Sequence, residues 1–172
     1  MRQDLFLMLG YPGSGKSYFA RQLSEQISAV RLNGDGVRHA MFEGEEVMNP
    51  KNNPMVFGAL DYAANQVLKA GYSVIYDASH NKYADREKGR VLAAQYGIEP
   101  IIVWVQITKQ AAKDRVASRE RLPDQPFIRP ERLDQLMKNL QPPKETEPCI
   151  KIDGTIPFDE QYRSFQQQLS SF

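Results

Sequence analysis

The densest chemical information in this chain lies in eight consecutive residues, Gly10-Tyr11-Pro12-Gly13-Ser14-Gly15-Lys16-Ser17. They satisfy G-x-x-x-x-G-K-[ST] at every fixed position, a match that chance would give on the order of 1% of the time or less in a chain this long. The chemistry such a run supports is anion binding. Glycine lets the backbone turn tightly and approach phosphate oxygens without a Cβ in the way. Consecutive amides then cradle the anion, and a following helix adds the positive partial charge of its N-terminus. Gly10, Pro12, Gly13, Ser14, Gly15, Lys16, Ser17 and Tyr18 are therefore the expected nucleotide-binding segment. Lys16 would neutralise the β- and γ-phosphates of ATP, and Ser17 would place its hydroxyl on Mg²⁺. The competing explanation is a Gly/Ser-rich turn ahead of a surface helix.

Two carboxylates follow at places where strands should end. Asp35 comes just after the apolar run 29–32, in Asn33-Gly34-Asp35-Gly36-Val37-Arg38, and Asp77 closes Ser73-Val74-Ile75-Tyr76-Asp77. Open parallel sheets bind ligands at the carboxyl ends of their strands. A carboxylate there can take a proton from an attacking hydroxyl or hold a water on Mg²⁺. Either aspartate could instead be a helix N-cap.

The third feature is 109–132, where seven basic residues stand against four acidic ones. Arg115 and Arg119 are four apart and would share a helix face. Leu122-Pro123-Asp124-Gln125-Pro126 cannot continue that helix. Two arginines ahead of a Pro-bounded loop read as a phosphate-closing lid at about 115–130, because a planar guanidinium can bridge phosphate oxygens. A solvated charged face is the alternative for any one of them.

Alternating elements must position these groups. Short apolar runs at 5–9, 29–32, 73–76, 98–107 and 149–152 suit strands buried on both faces. Helical patterns fall between them: 16–27 with Phe19, Leu23 and Ile27 on one face; 54–69 with Phe57, Leu60, Ala64 and Leu68, stopping at Gly71; and 82–96 with Ala84, Val91 and Leu92, meeting Gly97. Thr108 would cap a helix to about 121, Pro130 would open one ending before Pro142, and 158–169 would be the last. The acidic and Asn/Pro-rich stretch 43–53 reads as a mobile loop. Strands alternating with helices imply right-handed crossovers and a parallel sheet covered on both sides.

Composition sets the bounds. At 172 residues the chain is expected to form a single domain, 1–172, large enough to fold without staples. With 22 basic and 21 acidic residues, the balance excludes a strongly basic nucleic-acid coat. The single cysteine excludes an internal disulfide and a cysteine-based zinc site. No apolar run approaches the ~20 residues that span a bilayer, and the N-terminus does not read as a signal peptide. The expectation is a cytoplasmic protein with no membrane partner.

Gly10–Ser17, Asp35-Gly36-Val37-Arg38, Asp77-Ala78-Ser79-His80-Asn81 and Arg115–Arg119, in this order and spacing, resemble the kinase domain of 5′-hydroxyl polynucleotide kinases. They also resemble the broader group of small P-loop kinases that includes zeta-toxin-like members. The resemblance runs from Leu5 to about Gly154. It implies a three-layer α/β P-loop NTPase fold with a five-stranded parallel sheet, helices on both faces and a short lid. It implies that Asp35 is the general base on an acceptor hydroxyl, that Arg38 binds an acidic group of that acceptor, that Arg119 is the lid arginine on the transferred phosphoryl, and that Arg115 lies near the nucleotide. Ser17 and Asp77 would form the metal side. The chain departs from the polynucleotide kinases at Gly36, where a second acid is common, and at His80, which replaces a smaller residue. No phosphatase domain is expected within 1–172.

The function expected is transfer of the γ-phosphoryl group of ATP to a hydroxyl, with a nucleic-acid 5′ end or a small metabolite as acceptor. A nucleotide switch or ATPase without an acceptor is disfavoured by Arg38. A nucleic-acid-binding module is disfavoured by the lack of an aromatic–basic platform. His39 is expected on the surface, His80 close enough to reach substrate, Trp104 and Cys149 in the core, and 161–168 on a polar helix surface.

Overall fold

The computed structural model describes residues 3–118 and 130–172. Five strands, β1 (Leu5–Leu9), β2 (Ala29–Asn33), β3 (Ser73–Asp77), β4 (Ile101–Gln106) and β5 (Cys149–Asp153), form one sheet in the order β2-β3-β1-β4-β5, with every pairing parallel. The helices are α1 (Lys16–Gln26), α2 (Gly34–Met41), α3 (Asn53–Lys69), α4 (Tyr83–Ala94), α5 (Lys109–Ala117), α6 (Pro130–Lys138) and α7 (Phe158–Leu169). This is the three-layer arrangement expected from the alternation of elements.

Each sheet face has its own core. Phe6, Met8, Ile75, Val103 and Ile150 meet Phe19 and Leu23 of α1 and Phe165 of α7. Leu5, Leu7, Val74 and Tyr76 meet Val56, Leu60, Ala64 and Leu68 of α3 and Ala93 of α4. The alternation of side chains along each strand sends neighbouring residues to opposite layers. β1 is buried at all five positions because it is central. β2 and β5 are edge strands, and their burial is partial or alternating. The expectation of burial on both faces therefore holds for β1 and β3 and not for these two. Cys149, expected in the core, is only half-buried because it lies on edge strand β5; Trp104, also expected there, is half-buried on β4 opposite Lys151 of that edge strand.

Three further expectations change. Helix α4 buries Arg86, Gly89 and Ala93, while Val91 is exposed. A Cβ on Gly89 would lie 3.0 Å from Leu7, so the helix backbone sits directly on β1. The strand expected over 98–107 starts only at Ile101, because the Ile98 amide closes α4 by donating to Ala93 and Pro100 has no amide to offer. Segment 43–53 is not a plain loop. It folds into two 3₁₀ turns, Gly44–Met48 and Pro50–Asn52, pinned by Asn52 Nδ2 donating to Glu46 O at 2.9 Å.

Helix α7 also departs from a polar surface. Gln161 is buried and donates to Asp153 O at 2.9 Å. Gln168 accepts from Lys151 N and donates to Lys151 O, both at 2.9 Å, standing in for the missing strand on the β5 edge. No helix among the described residues is long and apolar enough to cross a membrane.

Candidate active site

The phosphate-binding segment joins central strand β1 to α1. Helix α1 begins with no side-chain cap and no acid in its first turn. The positive end of the helix is therefore not offset by a side-chain cap or a nearby acid, which favours an anion there. Helix α2 is the contrast: Asn33 caps it by accepting from Asp35 N at 3.0 Å and Gly36 N at 3.2 Å. The loop itself is gripped from behind. Gly13 has φ +83°, and a Cβ there would meet Ala112 O of α5 at 2.7 Å, so only glycine fits. Ser14 is wholly buried and its Oγ has no partner among the described residues. Lys16 Nζ donates to Gly10 O and Tyr11 O, each at 2.9 Å. Tyr18 is half-exposed and packs edge-on against Phe158. Pro12 is half-buried in the loop.

Ser17 and Asp77 come together. Ser17 Oγ donates to Asp77 Oδ1 at 3.0 Å, so the hydroxyl proton is directed at the carboxylate and the oxygen lone pairs are left for a cation. No cluster of three or more His, Cys, Asp or Glu side chains able to hold a metal occurs among the described residues. The Ser17 hydroxyl beside the Asp77 carboxylate is a donor set of the kind Mg²⁺ takes, one or two protein groups together with substrate phosphates and waters. The uncapped amides, the Lys16 ammonium and the Ser17–Asp77 pair fit a nucleotide–Mg²⁺ complex chemically.

Asp35 and Arg38 form the second group. Asn33 and Asp77 are register partners across β2 and β3, so the Asp77 carboxylate and the first turn of α2, which carries Asp35, both stand at the carboxyl edge of the sheet. Neither aspartate is an N-cap: Asn33 caps α2, and Lys82 precedes α4. Asp35 is exposed in the first turn of α2, and Arg38 lies one turn on, half-buried, with Nη2 donating to Asn53 Oδ1 at 2.6 Å. Burial lowers the Arg38 pKa from its ordinary value, and the Asp35 charge opposes that shift.

Arg115 Nη1 donates to Gly154 O at 2.9 Å, placing it beside the turn after β5. That turn touches the loop: a Cβ on Gly154 would collide with Ser14 O. Arg119 and most of the expected lid, 119–129, lie outside the described residues.

Several contributors were given no role from the sequence. Asn81 is buried, and its Oδ1 accepts from Gly10 N at 3.1 Å, fixing the first residue of the loop. Arg86 is buried and ties α4 to the 141–147 segment through Glu147 (2.7 Å) and the Gln141 carbonyl (3.1 Å). The apolar helix pattern hid it, because a buried, paired arginine is rare. Arg31 meets Asp77 from edge strand β2. Gly154 follows an Asp at a strand end, a signal that could have been read.

His80 does not face substrate. It is 2% exposed, stands edge-on to Tyr76 with ring centroids 4.6 Å apart, and its Nδ1 meets Ala78 O at 3.2 Å. The carbonyl partner requires the proton on Nδ1. Burial pushes its pKa down to about 4. Unfolded, the imidazole returns to an ordinary value near 6.5 and takes up a proton first. His80 therefore contributes full stability above about pH 6.5, and that contribution is lost as pH falls toward 4, at up to about 1.4 kcal/mol per pH unit. Urea unfolding of wild type and His80→Gln across this range checks it. The stability gap between them should narrow on acidification, and parallel pH curves would count against the assignment.

Fold and site together define a P-loop protein with a kinase-like α/β domain. Residues 5–143 match the family model described as an AAA domain, and the chain belongs to that family. Among solved structures it is similar to a sugar kinase from Janibacter sp. HTCC2649 (17% identity, 98% of this chain and 95% of that one, TM-score 0.72). It is also similar to the APS kinase CysC of Mycobacterium tuberculosis in complex with AMPPNP and APS (22% identity, 98% of each chain, TM-score 0.67). A third likeness is to a chain of the Pnkp1/Rnl/Hen1 RNA repair complex (21% identity, 80% of this chain and 44% of that one, TM-score 0.64). No curated protein matches the chain in sequence. The sequence resemblance to polynucleotide kinases thus holds at the level of fold, within a wider set of kinases.

Proposed function

We propose that this chain, acting as one catalytic unit, transfers the γ-phosphoryl group of ATP to an acceptor hydroxyl. The observation that carries the reading is the Ser17–Asp77 bond beside an uncapped α1 N-terminus within an intact phosphate loop. Bound ATP–Mg²⁺, held by the phosphate loop, Lys16 and Ser17, would supply the phosphoryl group and a countercharge for its phosphates. Lys16 leaves the Gly10 and Tyr11 carbonyls to hold phosphate oxygens. Asp35 takes the proton of the acceptor hydroxyl, and its exposure leaves it open to an acceptor arriving from solvent. Arg38, steadied by Asn53, holds an acidic group of the acceptor. Arg115 flanks the nucleotide side, and Arg119 is the arginine assigned to the transferred phosphoryl by resemblance.

Sugar, APS and RNA-repair proteins share this fold, so the fold alone does not choose the acceptor. Local charge favours a small one. Residues 34–53 carry Arg38 and Lys51 against Asp35, Glu43, Glu45 and Glu46. A strand gripped at several phosphates would need a basic excess there. A compact acceptor with one acidic group beside its hydroxyl, such as a phosphorylated metabolite or a nucleoside 3′-phosphate, suits Arg38 better than an extended polynucleotide.

The test is a screen of hydroxyl acceptors with labelled ATP, followed by Arg38→Ala. The variant should raise the acceptor KM at least tenfold while ATP binding stays within a few-fold. The log–log salt slope should be shallow, about −0.7 to −0.9 for one phosphate contact. A steep slope with 5′-hydroxyl oligonucleotides would favour the polynucleotide version. Absence of transfer to every acceptor, beside steady ATP hydrolysis, would return the reading to an ATPase.

A further inference from the structure

Arg31 stands in the middle of an edge strand whose neighbours are Ala29, Val30 and Leu32, with nothing in the local pattern to require a charge. Its partner explains it. The side chain is mostly buried, at 20% exposure, and the Asp77 side chain is 2% exposed. Arg31 Nε and Nη2 both donate to a single oxygen, Asp77 Oδ2, at 2.9 and 2.5 Å. The other oxygen, Oδ1, accepts the Ser17 hydroxyl at 3.0 Å. The carboxylate is thus divided: one oxygen is held from β2 by two guanidinium donors, and the other accepts a hydrogen bond from the head of α1.

That division has a chemical consequence. A carboxylate with one oxygen locked in a charge-assisted pair cannot turn to present both oxygens to one cation. A fixed positive charge beside a divalent cation also repels it, and the repulsion is weakly screened where the groups are buried. We infer that Arg31 is a positioning residue of the metal side. It holds Asp77 in the outer coordination sphere, as acceptor of the Ser17 proton, and prevents direct ligation of the cation by that carboxylate. The inference rests on the phosphotransfer reading above. It adds that cation affinity is deliberately limited by β2, so that the metal remains bound chiefly by phosphate oxygens, waters and the Ser17 hydroxyl. Such a metal can leave with the nucleoside diphosphate.

The test uses the full chain with ADP and Mn²⁺ as a paramagnetic probe, reading free Mn²⁺ by electron paramagnetic resonance. Arg31→Met should bind Mn²⁺ three- to tenfold more tightly in the ADP complex than wild type does. Its turnover with Mg²⁺ should fall at least tenfold, because an Asp77 that ligates directly no longer orients Ser17. Arg31→Lys keeps the charge but offers one ammonium to Oδ2. It is the variant safest for folding, and should shift Mn²⁺ affinity in the same direction by at least twofold. A purely structural ion pair would instead lower the melting temperature with Mn²⁺ affinity unchanged or weakened, and that result overturns the inference. Wild type that takes up no Mn²⁺ in the presence of ADP would sink the phosphotransfer reading itself, and the inference with it. Tight wild-type binding that neither variant alters sinks only the role given to Arg31.

Discussion

Asp35→Asn is expected to slow phosphoryl transfer by roughly 10²–10⁴-fold, the range that removal of a general base usually costs. The substitution keeps the shape of the side chain and removes its basicity and charge. Helix α2 should survive it, because the cap is Asn33 and the backbone amide of residue 35 still donates to it. Asp35 is exposed and stands apart from the phosphate loop in sequence, so ATP affinity should remain within a few-fold. The discriminating measurement is turnover at saturating acceptor alongside nucleotide binding by calorimetry. Equal transfer by mutant and wild type would remove Asp35 from the role of base. Asp77→Asn should behave differently: its carboxylate accepts from Ser17, so the loss should appear as an altered Mg²⁺ dependence.

Lys16→Ala should abolish most nucleotide binding. Wild type with ATP–Mg²⁺ at a hundredfold excess over Kd should gain about 2.7 kcal/mol of stability by mass action, visible as a raised melting temperature. The mutant should lose most of that gain. Its Nζ donates to two loop carbonyls, so the ligand-free mutant must be compared with ligand-free wild type before the nucleotide effect is taken. A wild-type scan with no shift under ATP, GTP or their diphosphates would end the phosphate-loop argument.

Much of this was legible from residue order. The glycine–lysine–serine motif following an apolar run located the loop between β1 and α1, since the pattern is local and its backbone demands are strict. The five apolar runs and the helical patterns between them specified a parallel sheet, because period and length are local properties of the chain. Asp35 and Asp77 were found because strand ends can be read from where an apolar run stops, whereas the part given to Arg38 came from the family resemblance. The limits of that reading are equally physical. Burial on both faces was expected of β2 and β5, yet strand order makes them edges, and order is set by which crossovers pack and not by strand composition. The place of His80 after Asp77 left substrate contact open, whereas the chain turns it into the core against Tyr76.

The sequence by itself therefore determined the phosphate loop, the alternation of strands and helices, and the strand-end acids, all of which depend on spacing within a few residues. Only the tertiary structure decided which bonds form: the Ser17 hydroxyl on Asp77 across 60 positions, where residue order implied no more than a shared metal side, Arg31 on the same carboxylate across 46, and Asn81 with Gly10 across 71. The reason is that a hydrogen bond of about 3 Å is selected by the register of neighbouring strands and the seating of helices on them, and neither leaves a periodic trace in the residues that it joins.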